Sequence, residues 1–109
     1  MMTFQDIKLE VIEAGSDVLL LITGGEAHIG ATSTAYWHDG QPKVETIAIP
    51  HHKEHTLTES IAERAANQLQ CTVSVVMGIH YDNLNKAQIL QISDRVEALF
   101  QQFLQCNIK

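Results

Sequence analysis

The sequence predicts a single α+β domain with element order β-β-β-β-α-β-α: a five-stranded, mostly antiparallel sheet with two helices packed on one face. Three observations predict it. Apolar residues follow strand patterns as far as Pro50, change to helical spacing, return to strand at Cys71 and turn helical again after His80. Turn signals separate the strand segments, and Asp39-Gly40 is the strongest of them. The chain has 109 residues, 45% of them hydrophobic and 18% charged, enough for one real core. No linker, repeat or low-complexity segment divides it, so residues 1–109 form one domain.

Each element follows from local pattern. Ile7, Leu9 and Val11 alternate with Asp6, Lys8 and Glu10, the period of a half-buried strand. After the turn "AGSD", Val18 to Thr23 is a continuous apolar run, the mark of a central strand covered on both faces. Gly24 and Gly25 break it. A long third strand fits Ala27 to Trp37, with His28, Gly30, Thr32, Thr34 and Tyr36 on one face. Lys43 to Ile49 is the fourth strand, ended by Pro50. Leu57, Ile61, Ala65 and Leu69, flanked by Ala62 and Ala66, make a helical stripe. Thr56 and Glu59 match a capping box, which starts that helix at Thr56. Cys71 to His80 is the fifth strand. The last helix runs from Asn85 to Gln105 on a stripe of Ile89, Ile92, Val96, Leu99, Phe100 and Phe103.

Bulk properties exclude several classes. A net charge of −6 argues against a nucleic-acid binder. No apolar run approaches the roughly 20 residues needed to cross a bilayer, so no membrane association is expected. The start, MMTFQDIKLE, lacks the basic and apolar regions of a signal peptide. Cys71 and Cys106 make no CxxC motif and read as reduced structural cysteines of a cytoplasmic protein.

Three unusual stretches meet if the strand directions hold: "GGEAHIGA" (Gly24 to Ala31), "PHHKEH" (Pro50 to His55) and "GIHYDN" (Gly78 to Asn83). All three emerge at one end of the sheet, where strands stop and helices begin, the usual ligand end of sheets with parallel crossovers. Both helix N-termini gather there and suit an anion, with Lys53 adding a full charge. Gly24, Gly25, Gly30 and Gly78 would allow close approach to the backbone. His28, His51, His52, His55 and His80, with Glu26, Glu54 and Asp82, supply donors, acceptors and potential metal ligands. One pocket lined by Glu26, His28, His52, Lys53, His80 and Asp82 is expected, with Gly25 and Gly78 in its wall. Each stretch also has an ordinary structural explanation: a hairpin turn at Gly24-Gly25, a solvated loop at 51–55, and an N-cap at Asp82 or Asn83. The chain has no HExxH, GxSxG or phosphate-binding loop, and neither cysteine lies near this end.

"ITGGEAHIGA" (Ile22 to Ala31), "IPHHKEHTL" (Ile49 to Leu57) and "GIHYDN" resemble the LpdD-like, or prenylated-flavin chaperone-like, family, which includes the small D subunit associated with gallate decarboxylase. The resemblance spans nearly the whole chain and keeps the motif order. It implies a non-catalytic accessory protein that binds or delivers prenylated FMN, or FMN, to a UbiD-type decarboxylase, with a flavin prenyltransferase as the second partner. The candidate cofactor-binding residues are then Gly24, Gly25, Glu26, His28, His51, His52, Lys53, His80, Tyr81, Asp82 and Asn83. Aromatic content is only 6%, and of Tyr36, Trp37 and Tyr81 the tryptophan belongs at the far end. Two rivals stand beside this: a metal-dependent enzyme using His28, His51, His52 and His80 with Glu26 or Asp82, and a purely structural assembly module. Two helices cover only one face of five strands, so a homodimer burying the other face is expected.

Overall fold

The computed structural model describes residues 4–50 and 54–107. Five strands, β1 (Lys8–Ala14), β2 (Asp17–Gly25), β3 (Ala31–His38), β4 (Gln41–Ala48) and β5 (Val73–His80), and two helices, α1 (His55–Leu69) and α2 (Lys86–Cys106), follow in the expected order. They form one sheet, β1-β2-β5-β3-β4. The pairs β1–β2, β3–β4 and β3–β5 are antiparallel, and β2–β5 is parallel. The sheet is therefore mixed, and mostly antiparallel as expected.

Strand order corrects two boundaries: Gly24 and Gly25 do not break the second strand but are the last residues of β2, paired in parallel with Ile79 and His80. The alternation from Ala27 suggested a third strand starting there, yet β3 starts at Ala31. The physical reason is that β5 lies between β2 and β3, so β2 cannot turn directly into its neighbour. Residues 26–30 instead cross the end of β5. The Glu26 N–H donates to the His80 carbonyl at 3.0 Å and the Gly30 N–H to the Met77 carbonyl at 2.8 Å. The remaining hairpins fit their residues. Asp39 and Gly40 both take left-handed φ, 54° and 78°, as a two-residue turn between twisted strands requires.

One core sits between sheet and helices. Leu20 and Ile22 of β2, Val73, Val75 and Met77 of β5 and Ala35 of β3 pack against Ile61, Ala62, Ala65 and Ala66 of α1 and Val96, Phe100 and Phe103 of α2. Both helices thus lie on one face, and the alanines of α1 let it approach the sheet closely. Arg64 clasps Glu97 with two hydrogen bonds of 2.8 Å and lies 4.8 Å over the Phe100 ring, tying α1 to α2. The opposite face follows from the register: Glu10, Leu21, Val76, Thr32 and Ile47 form one row across the five strands, and Ile12, Leu19, Ser74, Thr34 and Glu45 the next.

The helix starts differ from each other. The expected Thr56–Glu59 capping box is not formed: α1 begins at His55, and its N-cap Glu54 makes no side-chain cap bond. Glu59 accepts instead from the Thr46 hydroxyl at 3.0 Å. Thr58 binds Ser33 at 2.8 Å and donates to the His55 carbonyl at 3.1 Å. This hydroxyl chain docks α1 on the sheet and takes the side chain the box needed. α2 has a complete box on Asn85, not on Asp82 or Asn83. Asn85 Oδ1 accepts the Gln88 N–H at 2.8 Å, and Gln88 Oε1 accepts the Asn85 N–H at 3.0 Å.

Candidate functional site

The strands β2, β4 and β5 all end at the same end of the sheet, called upper here, where α1 and α2 begin. Parts of all three sequence stretches are therefore neighbours. His51, His52 and Lys53 lie outside the described residues.

The crossing 26–30 organises this end. His28 stands with Nε2 3.5 Å from Glu54 Oε2 and Nδ1 3.2 Å from the Glu26 carbonyl oxygen. His80 pairs with Asp82 at 3.1 Å. The two imidazoles meet edge to face, 6.3 Å between centroids. Two histidine–carboxylate pairs from three segments thus share one corner. Among the described residues no three His, Cys, Asp or Glu side chains are grouped to hold a metal ion.

The glycines have a use the sequence did not reveal. A Cβ on Gly78 would overlap the His28 carbonyl, one on Gly30 the Glu54 carboxylate, and one on Gly25 the His80 carbonyl. A Cβ on Gly24 would press on Ile7 at 2.6 Å. At these positions the close approach is made by the chain itself, and it locks the crossing against β5.

Tyr81 and Asp6 form a second lock. The Tyr81 phenol donates a short hydrogen bond to Asp6 Oδ1, and the Gly25 N–H donates to Asp6 Oδ2 at 2.8 Å. Phe4 packs edge-on against Tyr81, with centroids 4.9 Å apart. The Tyr81 and Gly25 donors hold the Asp6 carboxyl below its usual range. Burial first, then the bond to Asp6, pushes the Tyr81 phenol well above its usual value. Nothing in the spacing of Phe4 and Asp6 could have linked them to Tyr81 before the strand order was known. Asp82 and Asn83 are exposed, Asn83 in left-handed backbone with φ 59°, and turn the chain from β5 towards α2. Trp37 lies at the far end, its indole N–H donating to the Ala66 carbonyl at 3.3 Å.

A cleft of about 390 Å³ opens at the upper end between the starts of α1 and α2. Leu57, Ile79, Leu84, Ile89 and Ile92 give it an aliphatic lining, with Glu54, Thr56 and Ser93 as its polar groups. Sequence reasoning missed it, because Leu57, Ile89 and Ile92 belong to the helical stripes that mark core. Glu54 joins the cleft to the histidine corner. Its Oε2 is shut from solvent and makes no hydrogen bond among the described residues, the His28 ring being 3.5 Å away. The volume is within the usual range for small-molecule sites, roughly 300–1,000 Å³. A mainly apolar ligand carrying N–H or O–H donors for Glu54 fits this chemistry. The first turn of α1 beside it, which receives no side-chain cap bond from Glu54, suits an anionic end.

A chain in the crystal structure of a novel chaperone complex for yeast 20S proteasome assembly superposes with a TM-score of 0.59, covering 94% of this chain and 97% of that one. At 9% identity that likeness is of the fold alone. Sequence comparison is more specific. Protein LpdD of Lactiplantibacillus plantarum is 30% identical over 102 residues, 88% of this chain and 71% of that protein. The model of the prenylated flavin chaperone LpdD-like domain matches residues 3–107, and the chain belongs to that family.

Proposed function

We propose that this protein is a non-catalytic chaperone that binds prenylated FMN, or its FMN precursor, and delivers it to a UbiD-type decarboxylase after a flavin prenyltransferase has made it. The family match over residues 3–107 is the observation that carries this function. The upper end supplies what such a protein needs. An aliphatic cleft takes the apolar body of the ligand, and Glu54 accepts a hydrogen bond from it. We assign its phosphate to the start of α1, with Lys53 as the cationic partner that the sequence suggests. His28, His80, Tyr81, Asp82 and Asn83 form the polar rim, and Gly24, Gly25 and Glu26 hold the crossing that positions it. His51 and His52, which precede α1 in the sequence, are further polar candidates for the same ligand.

Delivery also needs a surface for the receiving enzyme. Among the described residues, Ile29, Ile49, Ile89 and Leu90 are four of the seven exposed large hydrophobic ones, and all four are at the upper end. Such clustering marks an interaction surface. We place the decarboxylase there, over the mouth of the cleft. The open sheet face, carrying Ile12, Leu19, Leu21, Val76 and Ile47, serves a different contact, a homodimer. Five strands about 4.8 Å apart and about 23 Å long give a face of about 550 Å² before corrugation, comparable with the roughly 800 Å² per partner of a standard interface. No helix of the described residues is long and apolar enough to cross a membrane, and we place the chaperone in the cytoplasm with its partner enzymes.

Loading tests the proposal. Apo-decarboxylase is mixed with prenylated FMN, with and without this protein, and cofactor uptake is followed by absorbance and recovered activity. Faster loading with the protein present, together with a flavin spectrum on the isolated protein, is the expected result. No flavin binding and no change in loading rate would overturn it.

A further inference from the structure

We infer that the aliphatic cleft between the starts of α1 and α2 seats the prenyl-derived part of the cofactor, and is the feature by which the protein tells prenylated FMN from FMN. This rests on the function proposed above and adds the element of selectivity. A prenylated flavin differs from a flavin by a branched five-carbon hydrocarbon unit. Selecting it requires a surface that gains from burying hydrocarbon alone.

The histidine corner cannot supply that surface. Its paired groups, His28, Glu54, His80 and Asp82, are imidazoles and carboxylates that lose hydration against hydrocarbon, and Ile29 beside them is exposed and outside the cleft. The cleft is the opposite. Leu57, Ile79, Leu84 and Ile89 are each left partly accessible, although they point into a concave space of about 390 Å³. The helical stripes are therefore unfilled here, at their first turns, while further down Val96 and Phe100 are fully buried. The one carboxylate in the wall, Glu54, belongs to the corner that contacts the crossing. The cleft and the polar rim are thus contiguous through Glu54, so one ligand can present a hydrocarbon part to the first and its polar flavin edge to the second. A single methylene in an apolar pocket is worth about 10-fold or more in discrimination. Five carbons in a cleft open on one side correspond to a preference of at least about 10-fold for prenylated FMN.

The test measures dissociation constants for FMN and for prenylated FMN by fluorescence titration under anaerobic conditions, with the full-length protein and three variants. Ile89→Gln makes the cleft wall polar at a residue 51% exposed, so the fold tolerates it. Ser93→Leu fills the same space by bulk. Val11→Gln alters an exposed aliphatic residue on β1, away from the cleft, and is the control. The expected result is a wild-type preference of at least about 10-fold for prenylated FMN, collapse of that ratio in both cleft variants, and no change in the control. If wild type shows the preference and both cleft variants keep it, the cleft is not the prenyl seat, although the chaperone function stands. If wild type binds both flavins equally, or the cleft variants lose both to the same extent, the cleft does not discriminate and the inference is overturned. If wild type binds neither, the inference falls with the function it rests on.

Discussion

Gly78→Ala tests the architecture of the upper end at a single atom. The added Cβ would overlap the carbonyl oxygen of His28, which is backbone and cannot swing aside. Gly78 is not among the residues with positive φ, so alanine suits its backbone and the cost is purely steric. Relief requires the crossing 26–30 to lift off β5. That breaks or stretches the Gly30–Met77 and Glu26–His80 backbone bonds, at 2.8 Å and 3.0 Å. Two such bonds contribute about 1 kcal/mol each. Overpacking adds about 1–3 kcal/mol. The lower entropy of the unfolded alanine chain returns about 0.4–1 kcal/mol. The net loss is about 2–5 kcal/mol, or about 8–20 °C in Tm for a domain of this size. Urea denaturation followed by circular dichroism measures it. Gly15→Ala is the control. It has left-handed φ, 64°, but nothing within 4 Å of its added Cβ, so it should lose only the about 1–2 kcal/mol of a strained backbone. If Gly78→Ala costs no more than Gly15→Ala, the crossing does not press on β5 as described.

Four further outcomes are expected. Tyr81→Phe flattens the pH dependence of stability at both extremes. Asp6, with its folded pKa lowered, contributes above its unfolded value near about 3.9 and loses this as pH falls through the folded value; Tyr81, with its pKa raised, contributes below about 10 and loses this as pH rises through the folded value. Tm measured from acid to alkaline pH in wild type and variant decides the matter, and superimposable profiles would refute it. Glu97→Gln weakens the Arg64 clasp by only about 0.5–1 kcal/mol, since its side chains are 40% and 42% exposed; a loss several times larger in urea denaturation would mean the two helices depend on it far more than their shared core implies. Lys53→Ala weakens flavin binding by about 1.5–3 kcal/mol in titration without lowering Tm, the value of a charge-assisted hydrogen bond, and unchanged affinity would remove Lys53 from the phosphate site. Val76→Lys, in the middle of the open sheet face, converts a homodimer to monomer in sedimentation velocity at micromolar concentration, and a wild-type monomer there would refute the dimer.

Much of the fold was legible because local period and burial agree. The alternation along β1, the stripes of α1 and α2 and the Asp39-Gly40 turn each state their own geometry, and none depends on a distant partner. Errors arose where a distant partner intervened. The alternation of Ala27 to Ala31 is real, but β5 lies where the strand would have paired, and that insertion is set by a segment about fifty residues later. The Thr56–Glu59 box is well formed as a pattern, yet Thr46 on β4 offers Glu59 a hydroxyl at 3.0 Å once the sheet has closed. Local pattern cannot weigh such a competitor.

The site was half legible for a related reason. Chain direction alone brings Gly24, His28, Glu54 and His80 to one end, and direction is a robust deduction from element order. What each residue does there depends on side-chain neighbours. A glycine in sequence reads as room for a ligand, whereas Gly25, Gly30 and Gly78 make room for His80, Glu54 and His28 of the same chain. An aliphatic residue on a helical stripe reads as core, whereas Leu57 and Ile89 stop short of filling theirs. The two misjudgements are complementary: positions that look open are packed, and positions that look packed are open. Under the proposed function, ligand binding therefore falls to the helix starts and not to Gly24 and Gly25 at the end of β2. Substitutions at Gly78 should act first on stability, and substitutions at Ile89 first on ligand selection. Measuring both properties on both variants separates the scaffold of the site from its binding surface.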